Sequence, residues 1–379
     1  MSGLYIHVPF CQKRCFYCSF YSTTHGKRER DLYTDALIRE MDERSKDYPR
    51  LLSTIYLGGG TPSQLDNEEL TAIFSSIHRN FEIEENAEIT IEVNPDDVTP
   101  ELVRKFRDLG INRVSMGVQS FNDDILKTIN RRHTSEQALQ AIEIFHREGI
   151  DNISIDLIYG LPGQSEDIWR NDLSTAFSLP VTHLSSYALS IEEGTPLYIL
   201  RARGEITEVD DDTFLKQYEM LIDAAHQAGF EHYEISNFAR KGYRSRHNSS
   251  YWCGKPYLGL GPGAHSYDGA SVRHWNNPDL SAYIAYWKND GNPKCFSLEK
   301  LTATELYDEI VMTRLRTCDG LPFSLLTEKQ RGYILSQAKP HLTSGNLVQK
   351  GEKLVLTRSG LFVSDDIMSD LMWDVDLPL

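Results

Sequence analysis

The sequence predicts an α/β chain: a partial six-stranded (β/α)6 barrel followed by a smaller C-terminal winged-helix-like helical domain. Three observations carry this. Amphipathic helices end on glycine and run into strands at DLGINRVSMGV (from 108), REGIDNISIDL (from 147) and QAGFEHYEIS (from 227). Candidate strands recur at about the 30-residue spacing of a βαβ unit. Inside each strand, apolar residues alternate with polar or small ones.

The strands are expected near 4–9, 54–59, 88–94, 113–119, 152–158 and 183–189. Leu4, Ile6 and Val8 oppose Tyr5 and His7; Ile89, Ile91 and Val93 oppose Thr90 and Glu92. Val114, Met116 and Val118 oppose Ser115, Gly117 and Gln119, and Ile153, Ile155 and Leu157 oppose Ser154 and Asp156. One face of each strand therefore suits a covering helix, and the other lines an interior built around a polar ligand.

The helices fit the same scheme. Leu102, Val103, Phe106 and Leu109 share a face, as do Phe214, Tyr218, Leu221 and Ala225. Gly110, Gly149 and Gly229 follow their helices at the left-handed stop position, each with an apolar residue next to pack back.

Past residue 190 the alternation loosens. We expect three units: 1–190 as the barrel with its site, 191–296 as a barrel extension, and 297–379 as the C-terminal domain. The last has helices around 302–316 and 327–338, then the hairpin-like GNLVQKGEKLVLT turning at Lys350 and Gly351.

Composition narrows the function. The 379 residues carry a formal charge of −16, against an electrostatic hold on nucleic acid, so no nucleic-acid partner is expected. No apolar run approaches the ~20 residues of a spanning helix. MSGLYIHVPF lacks the features of a secretory signal, so a cytoplasmic chain is expected, with peripheral contact at the inner membrane face left open. Six cysteines in a chain this long do not read as a disulfide framework.

Cys11, Cys15 and Cys18 form C-x3-C-x2-C on the loop after the first strand. Completed by His7 or His25, they would suit a structural zinc protein with a small-molecule-binding barrel. Without a fourth protein ligand they suit a [4Fe-4S] cluster with one iron open to an external ligand.

YIHVPFCQKRCFYC, LGGGTPS, IEVNP, RVSMGVQSF and IDLIYGLPGQ occur in order, and over residues 4 to about 270 the chain resembles the radical S-adenosylmethionine (SAM) enzymes. The branch it resembles is that of the anaerobic coproporphyrinogen-III oxidases. The resemblance implies a cluster on Cys11, Cys15 and Cys18 whose open iron binds SAM. It also implies SAM contacts at Tyr5, Gly59, Gly60, Thr61, Glu92, Gln119, Arg131, Asp156 and Ala188. Alternation independently turns Tyr5, Glu92, Gln119 and Asp156 inward, and Gly58 to Gly60 let backbone approach a ligand.

Within that branch the porphyrinogen-converting members usually carry a further cysteine where this chain has Phe20, and an extension ahead of the first strand, which here begins at about Leu4. Both features point instead to the haem-chaperone subfamily. RHNSSYW (246–252) matches that subfamily's haem-associated H-N-x-x-Y-W motif, making His247, Tyr251 and Trp252 haem candidates, with Cys253 as another iron ligand. Arg240, Lys241, Arg244 and Arg246 precede it as a basic run for the propionates.

The expected function is binding of haem as cargo and its delivery to a haem-accepting protein, membrane-bound in one version, with an electron donor serving the cluster. The alternative is oxygen-independent coproporphyrinogen III dehydrogenase, so enzymatic activity is left open. The segment GLGPGAHSY (259–267) fails G-x-G-x-x-G, because its third glycine comes one residue early.

Overall fold

A computed structural model describes residues 2–288 and 294–373; positions 1, 289–293 and 374–379 lie outside the described residues. Six parallel strands form in chain order: β1 (Gly3–Val8), β2 (Leu51–Gly59), β3 (Glu82–Val93), β4 (Arg113–Gln119), β5 (Ile153–Tyr159) and β6 (His183–Ala188). Each lies within a few residues of its expected span. Their apolar faces, with Leu4, Ile6, Ile91, Val114, Met116, Ile155 and Leu157 among them, are buried beneath the crossover helices.

The glycine stops act as the sequence predicts. Gly110, Gly149 and Gly229 have φ of +81°, +84° and +77°. The next residue in each case, Ile111, Ile150 or Phe230, returns its N–H to a carbonyl five residues earlier (Phe106, Phe145 or Ala225, each 2.9 Å) and is itself buried. That lock turns each helix end directly into the following strand.

The sheet is longer than six strands. β7 (Glu231–Glu234) and β8 (Asn237–Ala239) add antiparallel beyond β6, with β8 innermost. β9 (Tyr257–Leu260) pairs parallel with β1, followed outward by antiparallel β10 (His265–Tyr267), β11 (Val272–Asn276) and β12 (Phe296–Lys300). The strands of segment 191–296 thus extend both edges, and the twelve-stranded sheet stays open between β12 and β7.

GLGPGAHSY is a structural joint in this extension. A Cβ at Gly259 would lie 1.9 Å from the His265 carbonyl oxygen, and one at Gly261 (φ +95°) 2.4 Å from that of His7. The buried Glu40 carboxylate accepts from Gly261 N–H (2.8 Å), Asn276 (2.7 Å), Tyr283 (2.6 Å) and Arg44 (3.0 Å). These bonds pin the joint to the first helix, Lys27–Arg44.

The C-terminal module has its own core of Tyr307, Val311, Leu315, Phe323, Ile334, Leu354 and Trp373, among others. Helices Ala303–Leu315 and Glu328–Gln337 pack with a small sheet of β13 (Leu321–Pro322), β14 (Leu347–Gln349) and β15 (Lys353–Leu356), in the order β13-β15-β14. Gly351 turns the β14–β15 hairpin at φ +61°.

Candidate cofactor site

The C-terminal ends of β1–β6 surround a cavity of about 350 Å³. The loop after β1 forms one wall with Cys11, Cys15 and Cys18; Gly59, Gly60 and Thr61 close it beside β2, and Glu92, Gln119, Asp156 and Ala188 line it from β3 to β6. Arg131 enters from the β4–β5 crossover. Of the residues implicated by resemblance, these line one space. Tyr5 does not: it lies one layer deeper, its hydroxyl 3.1 Å from His7 Nδ1 and its ring 6.1 Å from that of Tyr56. Asn94, Ser115, Tyr17, Tyr187 and Ser190 also line the cavity and were not singled out from sequence, although Asn94 falls in IEVNP, one residue past β3.

The cysteine loop is held by backbone rather than by regular structure. Cys11 N–H donates to Thr23 O (2.8 Å), Thr23 N–H to Pro9 O (2.7 Å), Phe16 N–H to Ile129 O (3.1 Å) and Leu197 N–H to Phe16 O (2.9 Å). Asn130, left-handed at φ +62°, donates its side-chain amide to Arg14 O (2.9 Å). Two donors reach the sulfurs: Thr61 Oγ1 lies 3.4 Å from Cys11 Sγ and Arg131 Nη1 3.2 Å from Cys15 Sγ. Burial pushes the Cys18 thiol up to about 11, so a thiolate there requires a positive centre to bind.

Among the described residues no three His, Cys, Asp or Glu groups are placed to hold a metal ion. A zinc ion would draw its thiolates to about 2.3 Å from one centre; in a cubane each cysteine holds a different iron. His7, a proposed zinc ligand, has its ring nitrogens bonded to Tyr5 OH and Tyr21 O (2.9 Å), and His25 is exposed. Three cysteines lining one wall of the cavity fit a cluster with one open iron.

Opposite the sulfurs, Glu92 accepts from Tyr56 OH (2.8 Å) and Gly59 N–H (3.0 Å). Burial, reinforced by the neighbouring Asp156, raises Glu92 to about 7 despite those two donors. Burial likewise raises Asp156 to about 6 against the bonds from Ser185 and Ser115. A cationic ligand group would relieve both carboxylates.

Gln119 marks the site most directly. The β4–β5 register slips between Gly117 and Gln119, and Gln119 takes φ +69°. The bulge aims its side chain at the cavity; the residue is 7% exposed, and its side chain makes no hydrogen bond within the described protein. Left-handed and opening onto the cavity with an amide that makes no hydrogen bond among the described residues, it has the character of a ligand contact.

The haem candidates lie elsewhere. Helix Arg246–Trp252 closes the opposite, N-terminal end of the barrel, its first N–H groups capped by Glu88 (Arg246 N 3.0 Å, His247 N 2.9 Å). His247, 1% exposed, bonds through Nδ1 to Thr54 Oγ1 (2.9 Å) and through Nε2 to Tyr251 OH (2.7 Å). Burial lowers it to about 3, so the ring is neutral. Trp252 lies under the Arg316 guanidinium at 4.2 Å.

The expected basic run is largely occupied. Arg244 pairs with Glu231 (2.5 Å) and Asp319 (3.0 Å), Arg246 with Asn86 O (2.5 Å), and Arg240 with backbone carbonyls over the Phe230 ring. At the cavity mouth Lys13 and Arg14 are exposed and make no ion pair within the described protein; Phe20 beside them is 68% exposed.

Residues 5–176 match the model of the radical SAM superfamily. A Mycobacterium tuberculosis protein named heme chaperone HemW is 36% identical over 98% of this chain and 94% of its own length. The Bacillus subtilis protein of the same name is 33% identical over 99% of this chain and all of its own. Among solved structures, the radical SAM enzyme coproporphyrinogen III oxidase HemN of Escherichia coli superposes with a TM-score of 0.84 at 24% identity, over 99% of this chain and 90% of that one. No described helix is long and apolar enough to cross a membrane.

Proposed function

This chain belongs to the radical SAM superfamily and, within it, to the family of the relatives named heme chaperone, and on that premise we propose that it binds haem and delivers it to an acceptor haem protein. In this reading it carries a [4Fe-4S] cluster and SAM. The observation that carries the reading is the convergence on one cavity of three cysteines, a glycine-rich backbone, two buried carboxylates and an unpartnered glutamine.

Cys11, Cys15 and Cys18 hold the cluster as thiolates, and the Thr61 hydroxyl and Arg131 guanidinium donate to sulfur and offset its charge. Glu92 and Asp156 receive cationic and hydroxyl groups of SAM, and Gln119 supplies an amide to it. Gly59 and Gly60 leave room that no other residue leaves: a Cβ on Gly59 would meet the His7 ring at 2.5 Å, and one on Gly60 the Phe10 backbone at 2.8 Å. When bound, the cluster supplies one-electron chemistry to SAM.

A cavity of about 350 Å³ is at the small end for enclosing a drug-sized ligand, so a tetrapyrrole must sit outside it once SAM is bound. Lys13 and Arg14 at the mouth offer two free cations for propionates, and Phe20 an apolar face for the porphyrin. We place the haem there, since ligation by His247 would require the ring to leave two bonds and the barrel.

The test is anaerobic reconstitution followed by an offer of both haem and coproporphyrinogen III. About four irons per chain, a reduced-cluster EPR signal altered by SAM, and stable haem binding without a vinyl product are expected. Turnover of the porphyrinogen would make the protein a dehydrogenase instead.

A further inference from the structure

Gln119 owes its direction to a turn that other residues hold. Its backbone is left-handed at φ +69°, and Ser120 N–H reaches back across it to Val118 O (2.9 Å), closing a one-residue turn at the C-terminal end of β4. The two residues that follow are tied to one carboxylate. Asp172, 1% exposed on helix Glu166–Ser178, accepts from Ser120 Oγ through Oδ2 (2.7 Å) and from Phe121 N–H through Oδ1 (2.7 Å). Ser120 Oγ in turn accepts from Asn122 N–H (3.1 Å), and the Asn122 side chain caps helix Asp123–Thr128.

The same carboxylate reaches the turn after β5. Gln164 Nε2 donates to Ile158 O (3.1 Å) and lies 3.5 Å from Asp172 Oδ2. Gln164 O accepts from Gln217 Nε2 (3.1 Å), whose Oε1 accepts from Gly160 N–H (2.8 Å). Asp172 therefore joins two of the turns at the rim of the cavity, yet lines no part of the cavity itself. Ser120, Phe121 and Gln164 supply its bonds among the described residues, and none of them is a cation. A carboxylate buried without a cation costs stability, so packing alone does not call for one here. The turn does: its two donors need two acceptor oxygens, and an amide side chain has one.

We propose that Asp172 is a positioning residue for the cofactor: by holding Ser120 Oγ and Phe121 N–H it keeps Gln119 in the left-handed turn that presents its amide to SAM. The inference rests on the cluster-and-SAM part of the reading above and not on its haem part.

SAM binding to the reconstituted, reduced protein is measured through the SAM-induced change in the cluster EPR signal, for the wild type, Asp172→Ala, Gln119→Gly and the double variant. Iron content and urea denaturation are recorded for each. Asp172→Ala removes both acceptors and is expected to weaken SAM binding about fivefold, within the range of the one neutral hydrogen bond that Gln119 supplies. In the Gln119→Gly background the same substitution should change SAM affinity by less than about 1.5-fold, because no amide is left to aim. Asp172→Ala should destabilise both backgrounds in urea and leave iron content unchanged. Loosened packing would weaken SAM binding whether or not Gln119 is present, so the dependence of the loss on Gln119 separates the two roles.

Should Asp172→Ala fail to fold, Ser120→Ala takes its place in the cycle, since it removes one tie and leaves Phe121 N–H on the carboxylate. A loss of about threefold is then expected with Gln119 present and none without it. Unchanged SAM affinity in the deciding variant overturns the proposal, and so does an equal loss in the two backgrounds. Both outcomes require a wild type that responds to SAM and so leave the proposed cofactor standing, whereas a wild-type cluster whose spectrum ignores SAM overturns the cofactor and this inference together.

Discussion

At the cysteine end of the barrel Lys13 and Arg14 face solvent without a carboxylate among the described residues, Phe20 is exposed, and the Gln119 amide opens onto the cavity without a hydrogen bond to any of them. At the other end His247 is bonded on both nitrogens, Glu88 caps the helix that carries it, and Arg316 closes over Trp252 while pairing with Glu234. Both ends carry a short motif whose residue types suit a metal cofactor. They differ in how the histidine and the cations are partnered: those of the closed end are bonded, although Trp252 Nε1 there is buried without a hydrogen bond among the described residues.

The largest effect belongs to the open end. Cys15→Ala removes one of three thiolates and should abolish the cluster, read as loss of its visible absorption and of bound iron after reconstitution. Bound zinc without iron in the wild type would instead bring back the alternative that the occupied His7 argues against.

The closed end should fail by unfolding rather than by losing metal. Arg316 makes two bonds to Glu234 (3.1 and 3.0 Å), a carboxylate only 2% exposed, and Arg316→Ala leaves that charge buried without a cation, with Ser236 N–H (3.0 Å) and the Asn237 amide as its remaining donors. A destabilisation of about 3 kcal/mol is expected in urea denaturation, with iron content unchanged. A variant that instead loses iron would show the two ends to be less separate than their bonding suggests.

Glu92, on the cavity wall of the open end, should reveal itself through pH. Its pKa is raised when folded, so its contribution to stability is fully present below the unfolded value, near 4.5, and is lost as pH rises through about 7. Asp156, raised to about 6, acts in the same sense. Glu92→Gln should therefore gain on the wild type between pH 5 and 8 in the absence of ligand, by an amount on the order of 2–3 kcal/mol. Thermal melts of the two proteins that run parallel across this range would count against a buried, ligand-awaiting carboxylate.

The exposed cations give a smaller effect. Reversing both, with Lys13→Glu and Arg14→Glu, should weaken haem binding about tenfold, and added salt should weaken the wild type toward the variant. An unchanged affinity would return the haem to the closed end.

Much of this was legible because alternation with a period of two fixes which side chains share a face, and that alone turns Glu92, Gln119 and Asp156 inward. The glycine stops were equally plain, since Gly110, Gly149 and Gly229 punctuate helical periodicity. Chain order hid the rest. β9 joins β1 across some 250 residues, and Gly259 within it and Gly261 just past it serve backbone contact with His265 and His7, which no local pattern records. Nor does residue type reveal occupancy: Arg244 and Arg246 read as free cations until Glu231, Asp319 and Asn86 appear beside them. Tyr5, inward by alternation, stands one layer too deep to touch the cavity, because alternation gives a face and not a height.

The smallest expected change is the one that most sharpens the contrast between the ends. Replacing a strand glutamine by glycine ordinarily costs about 1 kcal/mol through chain entropy and lost contacts. At Gln119 the left-handed backbone, φ +69°, is itself unfavourable by about 1–2 kcal/mol for any residue with a Cβ, and glycine relieves it. The two terms oppose each other, so Gln119→Gly should leave the melting temperature of the ligand-free protein nearly unchanged or slightly raised. The same variant removes an amide with no partner among the described residues to lose, and SAM affinity should fall about fivefold, within the range of one neutral hydrogen bond. Stability held while binding falls is the signature of strain kept for a ligand. A variant that unfolds while binding SAM normally would make Gln119 a strand residue like any other and remove the clearest mark of the open end.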